Sequence, residues 1–304
     1  MGEFRWNGLS AGSDGLFDTA TRVVGRGAYR GLTFHEVEAR TIINTPPSGT
    51  PWFDHTINAY RGCSHACVYC FARPTHDYLG FDIGEDFDTQ IVVKVNAVEL
   101  TRLETAPGRW PGGAIAMGTN TDPYQAAEGR YKLTRGIIEV LTERSNPFSI
   151  LTKSPLVLRD LDLIAAAARK TEVSVSFSVA TLDEDVWRRT EPGTAHPQKR
   201  LDALARLREA GVPGGVFMAP VLPGISDRPD QIAKVRKAAH AAGATWCRTG
   251  LLHLRGVRSH FLDWLARDSP ELMDEYLERY PERRRRRPVR SSSPRDPAQL
   301  TLDV

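Results

Sequence analysis

The chain has 304 residues, 41% of them hydrophobic and 25% charged, which is the balance of a folded protein able to bury one large core or two modest ones. No run of about 18 apolar residues occurs, which excludes a membrane-spanning helix, and the opening Met-Gly-Glu-Phe-Arg-Trp has an acid and no apolar stretch, which argues against a signal peptide and for a cytoplasmic, reducing compartment. The net charge of +3 is uneven: residues 281–304 hold seven Arg and three acids, leaving the rest at −1, so charge neither requires nor rules out a nucleic-acid partner.

Residues 1–50 read as an irregular N-terminal segment, with 34–44 the stretch expected to be ordered and Pro46-Pro47-Ser48-Gly49-Thr50-Pro51 a linker-like breaker. The core domain is expected over 51–280, where a short apolar strand, a polar loop and an amphipathic helix repeat. Strands are predicted at 56–60, 114–117, 148–152, 173–179, 215–221 and 245–252. Helices are predicted at 96–105, 133–144, 157–169, 197–210 and 229–242, the last two stopped by Gly211 and Gly243. A further helical stretch at 260–280 is broken at Ser269-Pro270. Six strands alternating with helices imply an α/β fold with a parallel sheet. Ligands of such folds sit at the carboxyl ends of the strands. Polar segments follow the strands at 61–70, 118–125, 153–154, 181–184 and 223–227. The tail, 281–304, carries five consecutive arginines at 283–287 and few apolar residues, so it is expected to be basic and disordered.

Cys63, Cys67 and Cys70 stand in Arg-Gly-Cys-Ser-His-Ala-Cys-Val-Tyr-Cys-Phe-Ala-Arg, residues 61–73. This spacing puts three thiols on one tight loop. Thiolates held so close repel one another unless a metal neutralises them. An iron–sulfur cluster is bound by cysteine thiolates, and one held by three leaves an iron open to a further ligand. A Cys3His zinc site using His65 or His76 is the alternative, though zinc sites usually draw on two separated pairs. A disulfide fits poorly with four cysteines and no secretory segment. Gly62 lets the backbone turn beside the metal. Arg61, His65 and Arg73 bring positive charge to the thiolates. Cys247, on the sixth predicted strand, reads as a small core residue, with a hydrogen donor or radical relay as the other reading.

Three other blocks carry polar side chains where a ligand would sit. Gly118-Thr-Asn-Thr-Asp-Pro-Tyr-Gln125 follows the second strand, and Gly118 can admit a ligand close to the backbone. Residues 173–179 alternate strictly, putting Ser174, Ser176 and Ser178 on one face, whereas buried parallel strands are normally apolar on both. That face is expected to line a barrel lumen; an edge strand with its serines in water is the other reading. Lys153, just after the third strand, is the best-placed cation for a carboxylate.

The cysteine spacing, with Tyr69 just before the last cysteine, resembles the radical S-adenosylmethionine (SAM) superfamily. The longer strings at 58–76 and 118–125 resemble its spore-photoproduct-lyase-like branch, and the resemblance covers residues 34–275. It implies a partial (β/α)6 barrel and a 4Fe–4S cluster on Cys63, Cys67 and Cys70. SAM would bind the open iron through its amino and carboxylate groups, and the reduced cluster would cleave it to a 5′-deoxyadenosyl radical that abstracts hydrogen from substrate. The resemblance sets Tyr69 beside the adenine and Gly118, Thr119, Asn120 and Thr121, where the superfamily often has Gly-Gly-Glu, at the methionine amino group. Lys153 would take the carboxylate, Ser176 and Ser178 would face the ribose, and residues 218–224 would lie beside the adenine. An electron donor such as a flavodoxin or ferredoxin is implied, and a nucleic-acid lesion is the branch-level substrate.

Two departures from the spore photoproduct lyases argue against thymine-dimer repair itself. Those lyases use a cysteine hydrogen donor just after the second strand, and this chain has no cysteine between residues 71 and 246. They also have tyrosine where Phe71 stands. The loop aromatics suggest no stacking platform for single strands. Radical modification of a protein or small metabolite, a non-catalytic cluster protein for electron transfer or sensing, and a zinc-stabilised nucleic-acid-binding module are the open alternatives.

Overall fold

In the computed structural model, which describes residues 20–46 and 53–282, the apolar runs form strands of two sheets. The N-terminal part contributes β1 (Thr21–Val24), β2 (Thr33–Val37) and β3 (Ile43–Asn44). Next come β4 (His55–Ile57), β5 (Tyr60–Arg61), the cysteine segment, α1 (Glu85–Thr89), β6 (Gln90–Lys94) and α2 (Ala97–Glu104). The repeating part follows as β7 (Ile115–Met117), α3 (Ala126–Tyr131), α4 (Leu133–Glu143), β8 (Phe148–Thr152), α5 (Leu161–Ala168), β9 (Val173–Ser178) and α6 (Glu184–Thr190). It closes with α7 (Pro197–Glu209), β10 (Val216–Val221), α8 (Pro229–Ala241), β11 (Cys247–Leu251), α9 (Arg258–Asp268) and α10 (Met273–Arg279).

The larger sheet runs β11-β10-β9-β8-β7-β4-β3. Every pair from β4 to β11 is parallel, and β3 joins β4 antiparallel at the edge. This is the six-stranded parallel α/β architecture that the alternation of elements implies, left open because β4 and β11 do not pair. Glycines stop α7 and α8 as expected: Gly211 and Gly243 have φ of +81° and +78°, a left-handed conformation that glycine adopts without strain. Pro197 and Pro229 begin the same helices, where a missing N–H is harmless. Two helix expectations need adjustment. The 157–169 stretch begins as a 3-10 turn at Pro155–Asp160, with Ser154 accepting the Leu156 N–H, and turns α-helical at Leu161. The 260–280 stretch is two helices, α9 and α10, parted at Ser269-Pro270.

The smaller sheet, β1-β2-β6-β5, is absent from the sequence reading. Residues 21–44 are therefore not merely irregular around one ordered stretch: β1 and β2 pair antiparallel, and β2 pairs parallel with β6. Tyr60, read as the end of the first barrel strand, instead pairs together with Arg61 antiparallel with β6. The remainder of the N-terminal segment, most of the Pro-rich breaker and the basic run at 283–287 lie outside the described residues.

One core cluster packs Ile115, Met117, Ile150, Val175, Phe177, Val216 and Met218 of the barrel strands against Ile137, Ile138, Leu141, Ile164, Leu204 and Leu207 of the helices. Burying such side chains is worth about 1.5–3 kcal/mol each. A second cluster joins Cys67, Val68 and Tyr69 to Leu252, Leu254, Phe261, Leu265 and Tyr276, so α9 and α10 hold the cysteine segment against the barrel. Among the described residues no helix is long and apolar enough to cross a membrane.

Candidate active site

The cysteine segment is fixed by its backbone, which leaves its side chains for other use. Gly62, at φ +80°, turns the chain out of β5, and its carbonyl accepts the Thr121 hydroxyl at 2.6 Å and the Gln125 amide at 2.9 Å. The Cys63 N–H donates to Phe87 O at 2.9 Å, Ser64 N–H to Gln125 Oε1 at 3.1 Å, and Val68 N–H to Thr190 O at 3.1 Å. The Gly193 N–H returns the contact at His65 O, 3.1 Å. Arg73, only 1% exposed, donates Nε and Nη2 to the Cys67 carbonyl at 3.1 and 3.0 Å. It is a structural clamp rather than a solvated surface cation.

Cys63 and Cys67 are buried, Cys70 is half-buried, and all three face one cavity of about 350 Å3. Burial pushes the Cys63 thiol well up and the Cys67 thiol to about 12, with neighbouring Asp122 adding to the first; Cys70 moves the same way. Buried thiols raised like this are poor anions by themselves, whereas metal ligation removes their protons outright. The donor set thus fits a thiolate-bound group. Among the described residues no three His, Cys, Asp or Glu side chains are arranged to hold a single ion. A cubane spreads three thiolates over three irons and needs no such convergence. His76 is turned away, its Nε2 on Gln90 O at 2.9 Å, and it packs under Gly62, where a Cβ would lie 2.8 Å from the imidazole.

The loop after β7 supplies the facing wall. Gly118, Thr119, Asn120 and Thr121 all line the cavity, as do Tyr69, Lys153 and Ser178. Ser176, two residues earlier on the same face of β9, is buried but does not line it. β9 lies between β8 and β10, so these serines are not edge residues in water. Two of these residues also serve the fold. Gly118 is required by the barrel itself: it has φ +96°, and a Cβ there would fall 2.0 Å from the Leu151 carbonyl oxygen of β8. Thr121 directs its hydroxyl to Gly62 O, so it holds the cysteine loop. Thr119 is paired with Asn58, whose Nδ2 donates to it at 3.1 Å, and the Asn120 N–H reaches Asn58 Oδ1 at 3.1 Å. Ser178 Oγ donates to Ala219 O at 3.2 Å.

Asp122 lines the cavity while Glu191 and Arg200 stand behind it, and sequence patterns did not mark any of the three as a site member. Asp122 accepts from Thr152 Oγ1 and Lys153 N, both at 2.7 Å, and lies 3.3 Å from His65 Nδ1. Burial alone would raise its carboxyl, but His65, Thr152 and the Lys153 N–H outweigh that and hold it at about 2. Glu191 takes the Tyr69 hydroxyl, the Arg200 guanidinium at 2.6 Å and Lys153 Nζ at 4.0 Å. Burial disfavours its charge as well, and Arg200 and Lys153 reverse the balance, so it stays ionised. Burial also works against the Lys153 ammonium, which Cys67 and Glu191 keep above its usual range. Tyr69 is raised by burial and then by Glu191, so it stays a phenol; its ring lies 5.8 Å from Lys153 Nζ. No local pattern announces Glu191 or Arg200. Cys247 is half-buried on β11 and does not line the cavity.

The mouth is apolar. Phe71 and Leu251 line the cavity yet are 62% and 78% exposed, with Phe217 and His253 beside them. Phe71 therefore offers the flat exposed face that the sequence reading did not find.

Residues 57–235 match the profile of the radical SAM superfamily. The chain belongs to that superfamily. Among its relatives is a protein of Mycobacterium tuberculosis that is 48% identical over 254 residues, 83% of this chain and 75% of that one. A radical SAM Nα-GlyT isomerase of Pseudomonas phage M6 is 26% identical over 184 residues, 59% of this chain and 36% of its own. The solved structure of a spore photoproduct lyase complexed with dinucleoside spore photoproduct superposes with a TM-score of 0.57 at 17% identity, covering 82% of this chain and 80% of that one. At this identity the fold is what the two share.

Proposed function

We propose that Cys63, Cys67 and Cys70 hold a 4Fe–4S cluster and that this radical SAM enzyme uses it, with SAM, to start hydrogen abstraction from a nucleic-acid component. The single observation that carries the reading is the shared cavity. The three thiols face the Gly118–Thr119–Asn120–Thr121 wall, Lys153 and Ser178 across a space of about 350 Å3. When bound, the cluster supplies one electron that cleaves SAM to a 5′-deoxyadenosyl radical. The protein's part is to bind, orient and exclude water. Lys153 offers a charge-assisted contact to the SAM carboxylate, and the Tyr69 ring offers a face for the adenine. Thr119 and Asn120 offer oxygen acceptors for the amino group, and Ser178 a hydroxyl for the ribose. Ser176 is left out of that set by its position. The buried network behind Tyr69 and Lys153 keeps the wall rigid while the apolar rim admits substrate.

Support for a nucleic-acid component comes from the lyase of similar fold seen with a dinucleoside photoproduct and from exposed Phe71 at the rim. The missing cysteine donor and Phe71 in place of tyrosine speak for a reaction other than that lyase's. The reducing electron would come from a flavodoxin or ferredoxin.

The test uses anaerobically reconstituted protein reduced with dithionite and supplied with SAM. Formation of 5′-deoxyadenosine and methionine, abolished in Cys67→Ala, is the expected result. Reconstituted protein without iron and sulfide, or with zinc in their place, would defeat the reading.

A further inference from the structure

Glu191 is an unusual group to find behind a ligand cavity. It is 1% exposed, it caps the C-terminal end of α6, and its one carboxylate serves partners from three other segments. Oε1 accepts the Tyr69 hydroxyl from the cysteine loop and lies 4.0 Å from Lys153 Nζ after β8. Oε2 is 2.6 Å from Arg200 Nη1 on α7.

The two cations differ in what they have left to give. Arg200 is fully buried, and its remaining nitrogens are committed: Nε to Ala195 O at 2.8 Å, Nη1 also to Ser178 O at 2.9 Å, Nη2 to Thr194 Oγ1 at 2.6 Å. Lys153 is 15% exposed, lines the cavity and sits beyond hydrogen-bond distance from Glu191. One carboxylate serves two cations, and of the two only Lys153 faces the cavity. A buried ion pair without a full set of partners is costly, and removing one member leaves the others uncompensated. Without the Glu191 charge, two cations would share a buried wall.

We propose that Glu191, steadied by Arg200, is a positioning residue that aims the Lys153 side chain at the cavity, and thereby sets the affinity for SAM. This rests on the function proposed above. Glu191 touches no ligand itself; it acts through Lys153.

Glu191→Gln removes the charge and keeps one oxygen acceptor for Tyr69, while the acceptor that faces Arg200 Nη1 is lost with it. Wild type, Glu191→Gln, Lys153→Met and the double variant are reconstituted anaerobically. Iron, sulfide and visible absorption report the cluster, equilibrium dialysis reports SAM binding, and the change that SAM induces in the electron paramagnetic resonance signal of the reduced cluster reports its seating. All four are expected to hold the same iron. Glu191→Gln weakens SAM binding by about tenfold, the scale of one charged hydrogen bond, and the double variant binds no worse than Lys153→Met alone. Wild-type affinity in Glu191→Gln, or penalties that add in full, would overturn the proposal. If Glu191→Gln loses its cluster, the pair Glu191→Met with Arg200→Met removes both charges together: tight SAM binding there overturns the proposal and weak binding sustains it. Failure of the wild type to hold a cluster would instead defeat the function it rests on.

Discussion

Arg73 lays its guanidinium across the carbonyl of Cys67, the middle cysteine of the loop, at 3.1 Å from Nε and 3.0 Å from Nη2. The same side chain donates to Ile83 O and Gly84 O and forks onto Asp88 at 2.8 and 3.0 Å. Lysine cannot reproduce this planar array. Arg73→Met takes the guanidinium from the Asp88 carboxylate and from three carbonyls, of which Cys67 O keeps the Cys70 N–H at 3.2 Å. The expected cost is about 3 kcal/mol, read by urea denaturation, with reduced iron retention after reconstitution. Arg73→Lys should recover only part of either. Unchanged stability and iron in Arg73→Met would show that the loop is held elsewhere.

Gly62 meets two demands at once. Its φ of +80° disfavours any side chain, and a Cβ would lie 2.8 Å from His76 Cε1 and 3.0 Å from Gln90 O. His76 has no room to yield: its ring is wedged between Phe81 and Phe87, at centroid distances of 5.6 and 5.1 Å. Gly62→Ala should therefore cost about 1–3 kcal/mol from backbone strain and misplace Cys63. Iron content after reconstitution should fall, while His76→Ala in the same chain should restore part of it by making space. A Gly62→Ala chain with full iron would show the loop to be adaptable.

What was legible and what was not divides by sequence distance. Cys63, Cys67 and Cys70 lie within eight residues, so their shared chemistry is written into one local string. From β7 onward the barrel strands were legible because each is followed by a helix of its own. The Glu191 contact with Tyr69 spans 122 residues, and a glutamate after a short helix looks like any solvated one until the fold brings it there. The smaller sheet was missed for a related reason. β5 has two residues, too few for any periodicity, and Ile91, Val92 and Val93 of β6 are all buried, giving an apolar run without alternation. Gly118 answers to a second demand that its string does not show, the close approach of Leu151 O within its own barrel.

Phe71 is the residue to change at the rim. It is 62% exposed, so its loss costs the fold little. As a stacking face it should contribute about 1–3 kcal/mol to binding a single-stranded base. Phe71→Ala should keep its cluster and SAM affinity while its dissociation constant for a short single-stranded oligonucleotide rises about tenfold, and Phe71→Trp should hold or improve binding. Equal oligonucleotide binding in all three proteins, measured by fluorescence anisotropy, would remove nucleic acid from the substrate reading.

His260 on α9 gives the fold an acid sensitivity. Burial first, then the facing Arg73 and more weakly Arg267, push its imidazole down to about 4, with Asp263 and Asp82 pulling the other way. A histidine whose folded value lies below the unfolded one binds its proton more readily when the chain is open. Between about 6.5 and 4 the unfolded state then carries more protons, so stability rises with pH in that window and is lost as pH falls through it. Asp88 works in the opposite sense, since burial lifts it to about 6 despite Arg73. The contribution of His260 is therefore read as a difference: His260→Gln should lose less stability than wild type between pH 7 and pH 5 in chemical denaturation. Parallel loss in the two proteins would assign the acid sensitivity to other groups.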